Sequence, residues 1–537
     1  MKFNSNYNPY PSQRSVIYGR NGMVATSQPL AAGAGLDMMK KGGNAIDAAI
    51  ATAACLTVLE PTSNGIGGDA FAIVSVKDKL YGLNASGPAP KNISIEKVKA
   101  LGYTQMPSLG WLPVTVPGVP AAWSELSKKF GMLPLTDVLE PAIKYARDGY
   151  PVSPIIAHSW QKLFDYYLEN APCETFQEWY KVFAPRGRSP LPGEVWCSKP
   201  HAKTLEEIGI SHAESFYRGK IAQQIVADSK ANGGFFELSD LANYQPEWVK
   251  PVNMNYRGYD VWELPPNGQG VIALSALNIL KEFSFTTRDD PLVFHAQIEA
   301  LKLAFTAGKN LISDPKSTNT LEVTKLLSEQ YARENAERIT DSATISAEID
   351  LPKGGTVYLC TADKAGNMVS FIQSNYLGSG SGIVIPSTGI AMQNRGYDFK
   401  LDSDHINALA GGKKTYHTII PGFITRKGRA IGPFGVMGGY MQPQGHVQLL
   451  MNMIDFALNP QMALDAPRFQ WMKSQLVEVE KDFPTHIALD LAARGHEIEV
   501  NLDPSWFGRG QIICLDVESK VLIGATESRC DGAVVAY

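Results

Sequence analysis

The stretch Gly354-Gly-Thr-Val-Tyr-Leu-Cys-Thr-Ala362, the turn Asp363-Lys-Ala-Gly-Asn367 and the apolar run 368–375 together predict a β-hairpin that begins at a threonine. A threonine hydroxyl is a weak nucleophile unless a base lies beside it, and a terminal threonine supplies that base with its own α-amino group. If the Gly355–Thr356 bond is cut, the new amine has a pKa of roughly 7.7–8 and is partly neutral near pH 7. The glycines permit the backbone bend through which the hydroxyl reaches the preceding carbonyl. The stretch therefore suggests self-cleavage before a nucleophilic threonine, although two glycines before a strand are also typical of a plain tight connection.

Hydrophobic patterns around this hairpin predict helices that cover stacked sheets. Upstream, Asn44 stands at the N-cap position of a helix of small residues over 44–58, and a Gly-rich loop at 64–69 leads into a buried strand at 70–76. The other predicted elements are helices at 293–311, 321–339 and 445–458 and a second hairpin of 418–425 with 430–436. Helices over stacked sheets make an α+β architecture.

Composition is that of a globular protein with a deep core. The chain has 537 residues, 44% hydrophobic and 19% charged, and no low-complexity linker divides it, so one packed unit is expected. A net charge of −4 argues against nucleic acid as a bulk partner. No stretch has the length of unbroken apolar residues that crosses a membrane, and the first ten residues have no signal-like apolar core, which favours a cytoplasmic location.

The cysteines and histidines give no sign of a metal centre. Six cysteines form no CxxC pair, which suits free thiols in a reducing compartment. No His/Asp/Glu cluster with ligand spacing is evident, so neither a metal nor another cofactor is expected.

Nine further motifs are spread over nearly the whole chain. They are Val24-Ala-Thr-Ser-Gln-Pro29, Gly42-Gly-Asn-Ala-Ile-Asp-Ala-Ala49, Gly65-Ile-Gly-Gly68, Val116-Pro-Gly118, Asp240-Leu-Ala-Asn-Tyr244, Tyr256-Arg-Gly258, Met437-Gly-Gly439, Asp465-Ala-Pro-Arg-Phe469 and Asp531-Gly-Ala533. In this order and spacing they resemble the γ-glutamyltransferase family of N-terminal-nucleophile hydrolases.

The resemblance implies a four-layer αββα sandwich and a proenzyme that cuts itself between Gly355 and Thr356. It implies a large chain of residues 1–355 and a small chain of 356–537 that together form one structural domain. By position, Thr356 matches the nucleophile, Ser374 the hydroxyl that orients it, and Gly438 and Gly439 the pair whose N–H groups form the oxyanion hole. The implied reaction is two-step acyl transfer from a small amide to water or to an amino-acid or peptide acceptor, and homo-oligomerisation stays open.

The substrate-binding residues depart from the family pattern. The arginine that grips the α-carboxylate in the family has no counterpart in Asn84-Ala-Ser-Gly-Pro-Ala-Pro90, and the paired serines that assist it fall at His417-Thr418. Asp398, the ammonium-binding position, is retained, while Arg395 stands where transpeptidases carry an amide or an acid. A guanidinium can hold a carboxylate bidentately, so Arg395 is a candidate relocated anchor. His417 either donates to the same carboxylate or is a packing residue.

The run Gln393-Asn394-Arg395, with Tyr416-His-Thr418 and Met441-Gln-Pro-Gln-Gly445, resembles the amidase branch of the family, which includes oxamate amidohydrolase and glutaryl or cephalosporin acylases. The predicted substrate-binding residues are Asn394, Arg395, Asp398, His417 and Thr418.

Three functions follow. The leading one is hydrolysis or transfer of a γ-glutamyl or similar carboxylate-bearing amide, such as glutathione, which the retained Asp398 favours. The second is hydrolysis of oxamate or glutaryl (cephalosporin-type) amides, which the lost arginine and serine pair favour. The third, a non-catalytic relative that binds a metabolite, is disfavoured by the presence of Thr356 and Ser374.

Overall fold

The computed structural model describes residues 14–171, 174–345, 351 and 354–537. The helices of these residues are α1 (Pro29–Lys40), α2 (Ala45–Leu59), α3 (Ile95–Ala100), α4 (Val119–Phe130), α5 (Leu135–Asp148), α6 (Pro154–Asn170), α7 (Gln177–Phe183), α8 (Lys199–Ser211), α9 (Glu214–Arg218), α10 (Lys220–Ala231), α11 (Leu238–Ala242), α12 (Gly270–Leu280), α13 (Pro291–Leu311), α14 (Thr320–Lys325), α15 (Glu329–Ala336), α16 (Met441–Ile454), α17 (Pro460–Asp465) and α18 (Thr485–Ala493). Single 3₁₀ turns lie at Glu174–Phe176, Arg395–Asp398 and Pro504–Trp506.

The strands of the same residues are β1 (Ile17–Gly19), β2 (Gly22–Thr26), β3 (Asp69–Val76), β4 (Lys79–Ala85), β5 (Tyr150–Pro151), β6 (Val195–Trp196), β7 (Glu247–Val249), β8 (Val252–Tyr256), β9 (Tyr259–Glu263), β10 (Gly355–Asp363), β11 (Met368–Tyr376), β12 (Gly422–Arg426), β13 (Arg429–Met437), β14 (Phe469–Lys473), β15 (Leu476–Glu480), β16 (Glu497–Asn501), β17 (Arg509–Asp516), β18 (Val521–Thr526) and β19 (Ala533–Ala536).

Two seven-stranded antiparallel sheets form the centre of the protein. The first has the order β1-β18-β17-β13-β12-β9-β8 and the second the order β19-β2-β10-β11-β3-β4-β7. Each sheet contains strands from before residue 355 and strands from residue 355 onwards. A smaller sheet, β14-β15-β16, contains the parallel pair β15 and β16.

Strand β10 shows how the layers are stacked. Val357 and Leu359 face a core shared with α1, α2 and α4 to α10, whereas Tyr358 and Cys360 face a core between the two sheets. The outer face of the first sheet packs against α12, α13 and α16. The order is helix, sheet, sheet, helix, so the predicted αββα sandwich is confirmed.

Helix α2 forms as its sequence predicts. The Asn44 side chain accepts the N–H groups of Ile46 and Asp47 at 2.9 and 3.1 Å, and the Asp47 carboxylate accepts the Asn44 N–H, which completes a capping box. All of its side chains are buried, because small residues let α1 and the second sheet approach closely.

Three predicted boundaries are wrong. The span 321–339 is two helices, because Ser328 accepts the N–H of Tyr331 at 3.1 Å and starts α15 as a new helix. Residues 418–421 precede β12 rather than belong to it. Helix α16 spans Met441–Ile454 rather than 445–458, so both of its ends lie four residues earlier than predicted. It can start before Pro443 because that proline lies in the first turn, where its missing N–H costs no hydrogen bond.

We predict that Gly35→Ala lowers the thermal stability of the protein. A Cβ at this position of α1 would collide with Thr52 Oγ1 and lie 2.9 Å from the carbonyl oxygen of Ala48 on α2. Such overpacking costs about 1–3 kcal/mol, which calorimetry detects as a lower unfolding temperature. The control is Gly33→Ala on the same helix, where a Cβ meets nothing within 4 Å. Equal unfolding temperatures for the two variants would show that α1 can shift away from α2.

Candidate active site

Thr356 lies at an irregularity in the ladder between β10 and β11. The register shifts between Gly355 and Val357, so that Thr356 is opposite an extra residue of β11. At the end of this bulge Tyr376 has a φ of 75°, an uncommon value for a bulky residue. Its N–H donates to Ser374 Oγ at 2.8 Å, which holds the strained backbone in place.

The two hydroxyls of the bulge converge on one carbonyl. Thr356 Oγ1 lies 2.6 Å from the carbonyl oxygen of Gly355 and donates to Ser374 Oγ at 3.1 Å. Ser374 Oγ donates to the same carbonyl oxygen at 2.8 Å. Thr356 and Ser374 are each 1% exposed. The geometry thus places a buried hydroxyl directly against the peptide bond that precedes it.

Gly438 and Gly439 lie at the turn from β13 into α16, beside this peptide bond. Their φ angles are +142° and +59°, which favour glycine. A Cβ on Gly354 would lie 3.5 Å from the Cα of Gly439, so the pair borders the backbone at 354–355. The predicted catalytic residues Thr356, Ser374, Gly438 and Gly439 are therefore brought together.

Gln269 links the glycine pair to the predicted substrate-binding residues, and sequence reasoning missed it. Its Nε2 donates to the carbonyl oxygens of Thr418 at 2.6 Å and Gly439 at 3.0 Å, and its Oε1 accepts the Tyr416 hydroxyl at 2.8 Å. The side chain is fully buried. The only local signal is a polar residue between Gly268 and Gly270 ahead of an apolar helix, which alone does not indicate a role.

Arg395 is a buried cation with unused donors. Its Nη1 donates to Thr418 Oγ1 at 2.7 Å, and its guanidinium carbon lies 3.9 Å from the ring centroid of Tyr376. Nε and Nη2 have no hydrogen-bond partner among the described residues. Asp69 Oδ2 is 3.8 Å from Nε, and Asp398 Oδ2 is 4.0 Å from Nη1. A buried donor without a partner costs free energy, so Nε and Nη2 of Arg395 are able to bind the oxygen atoms of a ligand.

One carboxylate oxygen of Asp398 is engaged in hydrogen bonds and the other is not. Its Oδ1 accepts the hydroxyls of Tyr376 and Tyr440, each at 2.9 Å, while Oδ2 has no hydrogen bond within the described part of the chain. The Lys309 ammonium bonds the Tyr440 hydroxyl and lies 4.2 Å and 3.8 Å from the ring centroids of Tyr416 and Tyr440. Lys309 is thus a second cation at the site, and sequence reasoning missed it because it comes from the distant helix α13.

His417 is directed at Asp69. Its Nε2 lies 3.0 Å from Asp69 Oδ2, and its Nδ1 accepts the Ile419 N–H at 3.4 Å, so the ring is neutral with its proton on Nε2. Burial and the charges of Arg395 and Lys414 hold the pKa of His417 well below its usual value. The alternative that His417 is a packing residue fits this geometry, with Asp69 as its partner.

Asn394 supports the loop beside the site. Its side-chain nitrogen donates to the carbonyl oxygens of Ser108, Leu377 and Gly380 at 2.9 to 3.3 Å, and its Oδ1 accepts the Leu377 N–H at 3.0 Å. Both the nitrogen and the oxygen of the Asn394 side chain are therefore bonded to backbone groups.

A cavity of about 420 Å³ opens beside Asp398 and Tyr440. Lys99, Lys309, Lys400 and His405 are among its lining residues, and the other acid in its wall is Asp402. Of the predicted substrate-binding residues, Asp398 lines this cavity.

One cluster offers three metal-ligand atoms within 4.8 Å of one another, and the sequence pattern did not reveal it: His295 and Glu299 on α13 with His496. Its atoms are already engaged with one another and with neighbours. His295 Nδ1 and His496 Nε2 are 2.9 Å apart, and Glu299 Oε1 accepts the Lys302 ammonium at 2.8 Å. The cluster is therefore part of a buried polar network in which the Lys302 ammonium is the cation.

None of the helices in the described ranges has the length and apolar character that a membrane span requires.

Comparisons with known proteins agree with this geometry. Residues 31–537 match the sequence model of the family described as Gamma-glutamyltranspeptidase. The glutathione hydrolase-like YwrD proenzyme of Bacillus subtilis (strain 168) is 36% identical in an alignment of 536 positions that covers 97% of this chain and 99% of the relative. The oxamate amidohydrolase proenzyme of Klebsiella pneumoniae is 31% identical, over 96% of this chain and 98% of the relative. The crystal structure of a cephalosporin acylase from Bacillus halodurans superposes with a TM-score of 0.97 at 57% identity, over 100% of this chain and 99% of that one.

We predict that Gln269→Ala lowers kcat for amide hydrolysis about 10- to 100-fold, because the hydrogen bond that holds Gly439 is lost. Gly438 and Gly439 are the predicted oxyanion donors, and such donors stabilise the transition state poorly when they are misplaced. Steady-state kinetics of the folded variant measure it. The control is Gln223→Ala at an exposed position of α10. An unchanged kcat would show that Gly439 keeps its position without Gln269.

Proposed function

The chain belongs to the γ-glutamyltranspeptidase family, and on that premise we propose that it is a self-processing amide hydrolase whose substrates carry a carboxylate on the acyl group. The observation that carries the proposal is the contact of the buried Thr356 hydroxyl with the Gly355 carbonyl, 2.6 Å between the oxygens. The Arg395 guanidinium, with its unused donors, stacks on the ring of Tyr376, the residue that pairs with Gly355.

Self-cleavage uses this contact. Thr356 Oγ attacks the Gly355 carbonyl carbon, its proton passes to the leaving nitrogen, and the Gly355–Thr356 amide becomes an ester. Water then hydrolyses the ester, which leaves a carboxylate on Gly355 and a free amine on Thr356. Ser374 supports the first step, because its hydroxyl accepts from Thr356 and donates to the carbonyl under attack. The products are the chains 1–355 and 356–537.

The freed amine is the base for substrate hydrolysis. With a pKa of roughly 7.7–8 it is partly neutral near pH 7 and takes the proton of the Thr356 hydroxyl as that oxygen attacks the substrate amide. The N–H groups of Gly438 and Gly439 stabilise the oxyanion, the α-ammonium gives its proton to the substrate nitrogen, and the amine product leaves as the acyl ester on Thr356 forms. Water then attacks the acyl ester and restores Thr356.

We call the surroundings of Arg395, Lys309 and Asp398 the acyl site. The charges there favour an anionic acyl group without an α-ammonium. Arg395 and Lys309 are cations, and Asp398 Oδ1 is already engaged by two tyrosine hydroxyls. A glutaryl amide places one carboxylate against Arg395 and brings no positive charge. The 57% identity to a cephalosporin acylase supports the same choice.

A γ-glutamyl amide is the second candidate, because one observation favours it. Asp398 Oδ2 has no hydrogen-bond partner in the described ranges and could accept an α-ammonium. The similarity to a glutathione hydrolase-like proenzyme supports this candidate.

We predict that the purified wild-type protein consists of two fragments, the smaller beginning at Thr356, and that Thr356→Ala remains one inactive chain. Mass spectrometry and N-terminal sequencing measure both results. Thr356→Ser is the matched control, since it keeps the hydroxyl and should still be cleaved. An intact wild-type chain with full activity would refute the proposed mechanism.

We predict that glutaryl p-nitroanilide is hydrolysed with a higher kcat/KM than γ-glutamyl p-nitroanilide or oxamate. Arg395→Gln should raise KM for the glutaryl substrate about 10- to 100-fold, the value of one charge-assisted hydrogen bond, and leave valeryl p-nitroanilide unaffected. Arg426→Gln, at an exposed position of β12, is the control. A higher kcat/KM for the γ-glutamyl compound would support the second candidate. An unchanged KM in Arg395→Gln would remove Arg395 from the site.

A further inference from the structure

Asp69 is a buried acid beside the acyl site to which the proposed mechanism gives no task. It ends the Gly-rich loop 64–69 and begins β3, and its side chain is 1% exposed. Oδ2 lies 3.0 Å from the Nε2–H of His417, whereas Oδ1 has no hydrogen-bond partner among the residues that the structure describes.

The carboxyl stands next to the unused edge of the Arg395 guanidinium. Asp69 Oδ2 is 3.8 Å from Arg395 Nε, and Nε and Nη2 are the two donors left without a partner in the described chain. A substrate carboxylate that binds this edge comes close to Asp69, and two like charges in a buried site repel each other strongly.

We propose that Asp69 is a specificity-determining residue, which weakens binding of an anionic acyl group when ionised and permits it when protonated. This inference rests on the proposed role of Arg395 as the carboxylate anchor. The proton has a place to go, because Oδ1 can carry it while Oδ2 continues to accept from His417.

The surroundings of Asp69 place this change in an accessible pH range. Burial raises the pKa of Asp69 to about 7, and Arg395, the Gly87 N–H and Lys414 oppose the rise. Lys414 itself lies 3.1 Å from Glu247.

Three other titratable groups face Asp69. His417 is neutral, because its pKa lies well below the usual value. Tyr217 and Tyr244 stay protonated, since burial and, to a lesser degree, Asp69 raise the pKa of both phenols. Asp69 is therefore the group among these that titrates near neutral pH.

The affinity for an anionic acyl group depends on the charge of Asp69. Below pH 7 Asp69 is mostly neutral and does not oppose the attraction of Arg395 for the anionic acyl group. Above pH 7 the carboxylate competes with it, so affinity falls as pH rises. Binding of an anion should also raise the pKa of Asp69 further, so that a proton is taken up on binding.

The test uses free glutarate, which is ionised from about pH 6 upwards, as a ligand of the processed protein in titration calorimetry at pH 6 and pH 8. Asp69→Asn keeps the hydrogen bond from His417 and removes the charge. At pH 8 this variant should bind glutarate about tenfold tighter than wild type, because pH 8 lies one unit above the pKa of Asp69 and one unit corresponds to a factor of ten. At pH 6, where Asp69 is protonated, the affinities of the two proteins should agree within about twofold. The control is Asp137→Asn, at an exposed position of α5.

Proton uptake by the wild type, measured at pH 8 in two buffers of different ionisation enthalpy, gives a second reading that needs no folded variant. Uptake of a substantial fraction of one proton is expected. Absence of uptake, or equal or weaker binding by Asp69→Asn at pH 8, would overturn the inference. If Arg395→Gln abolishes glutarate binding but Asp69→Asn leaves the affinity unchanged, the proposed function stands and only the role of Asp69 fails. Wild-type protein that does not bind glutarate at all would refute both.

Discussion

The proposed nucleophile must be a chain end, yet it lies at the start of an interior strand. Strand β10 pairs with β2 on one side and with β11 on the other, and Thr356 is 1% exposed. A free N-terminus at this place would carry a charged amine into the packed layer before any pairing partner held it, and burying an isolated charge is costly. A continuous chain that folds first and is cut afterwards avoids that step. The contact of the Thr356 hydroxyl with the Gly355 carbonyl is therefore the element on which the site depends.

The same topology explains why a cut need not separate the two chains. The sheet that holds β10 takes β2, β3, β4 and β7 from residues before 355 and β10, β11 and β19 from residues after it. The other sheet is mixed in the same way. Dissociation would break strand pairings within both sheets and remove α1, α2 and α4 to α10 from the outer face of β10 and β11. Hydrophobic burial at about 25 cal/mol per Å² over such layers far exceeds what one peptide bond contributes to holding them together.

Local patterns predicted the elements that local interactions form. The hairpin of β10 and β11 and the cap of α2 at Asn44 were found from turn residues, alternation and N-cap chemistry, and the structure confirms them. The split at Ser328 was missed, because helix-forming residues on both sides masked a capping serine.

The residues that set the charge of the site were harder to find. Gln269, Lys309 and Asp69 come from separate elements, and nothing near each of them in sequence shows which side chains they meet. Arg395 was identified only because a family pattern made its charge unusual. Periodicity reports which face of an element is buried, whereas polar partners across the fold are decided by tertiary packing.

The tyrosines decide how these charges act. Tyr376, Tyr416 and Tyr440 are buried around Arg395, Asp398 and Lys309. Their rings stabilise both cations, and two of their hydroxyls bond Asp398 Oδ1. Tyrosine hydroxyls disperse the negative charge of that carboxylate but add none of their own, so they do not oppose the charges of Arg395 and Lys309. The proposed acyl carboxylate would complete this arrangement, since it would supply the oxygen atoms that the Arg395 edge lacks, whereas an α-ammonium would compete with two cations for one half-engaged aspartate.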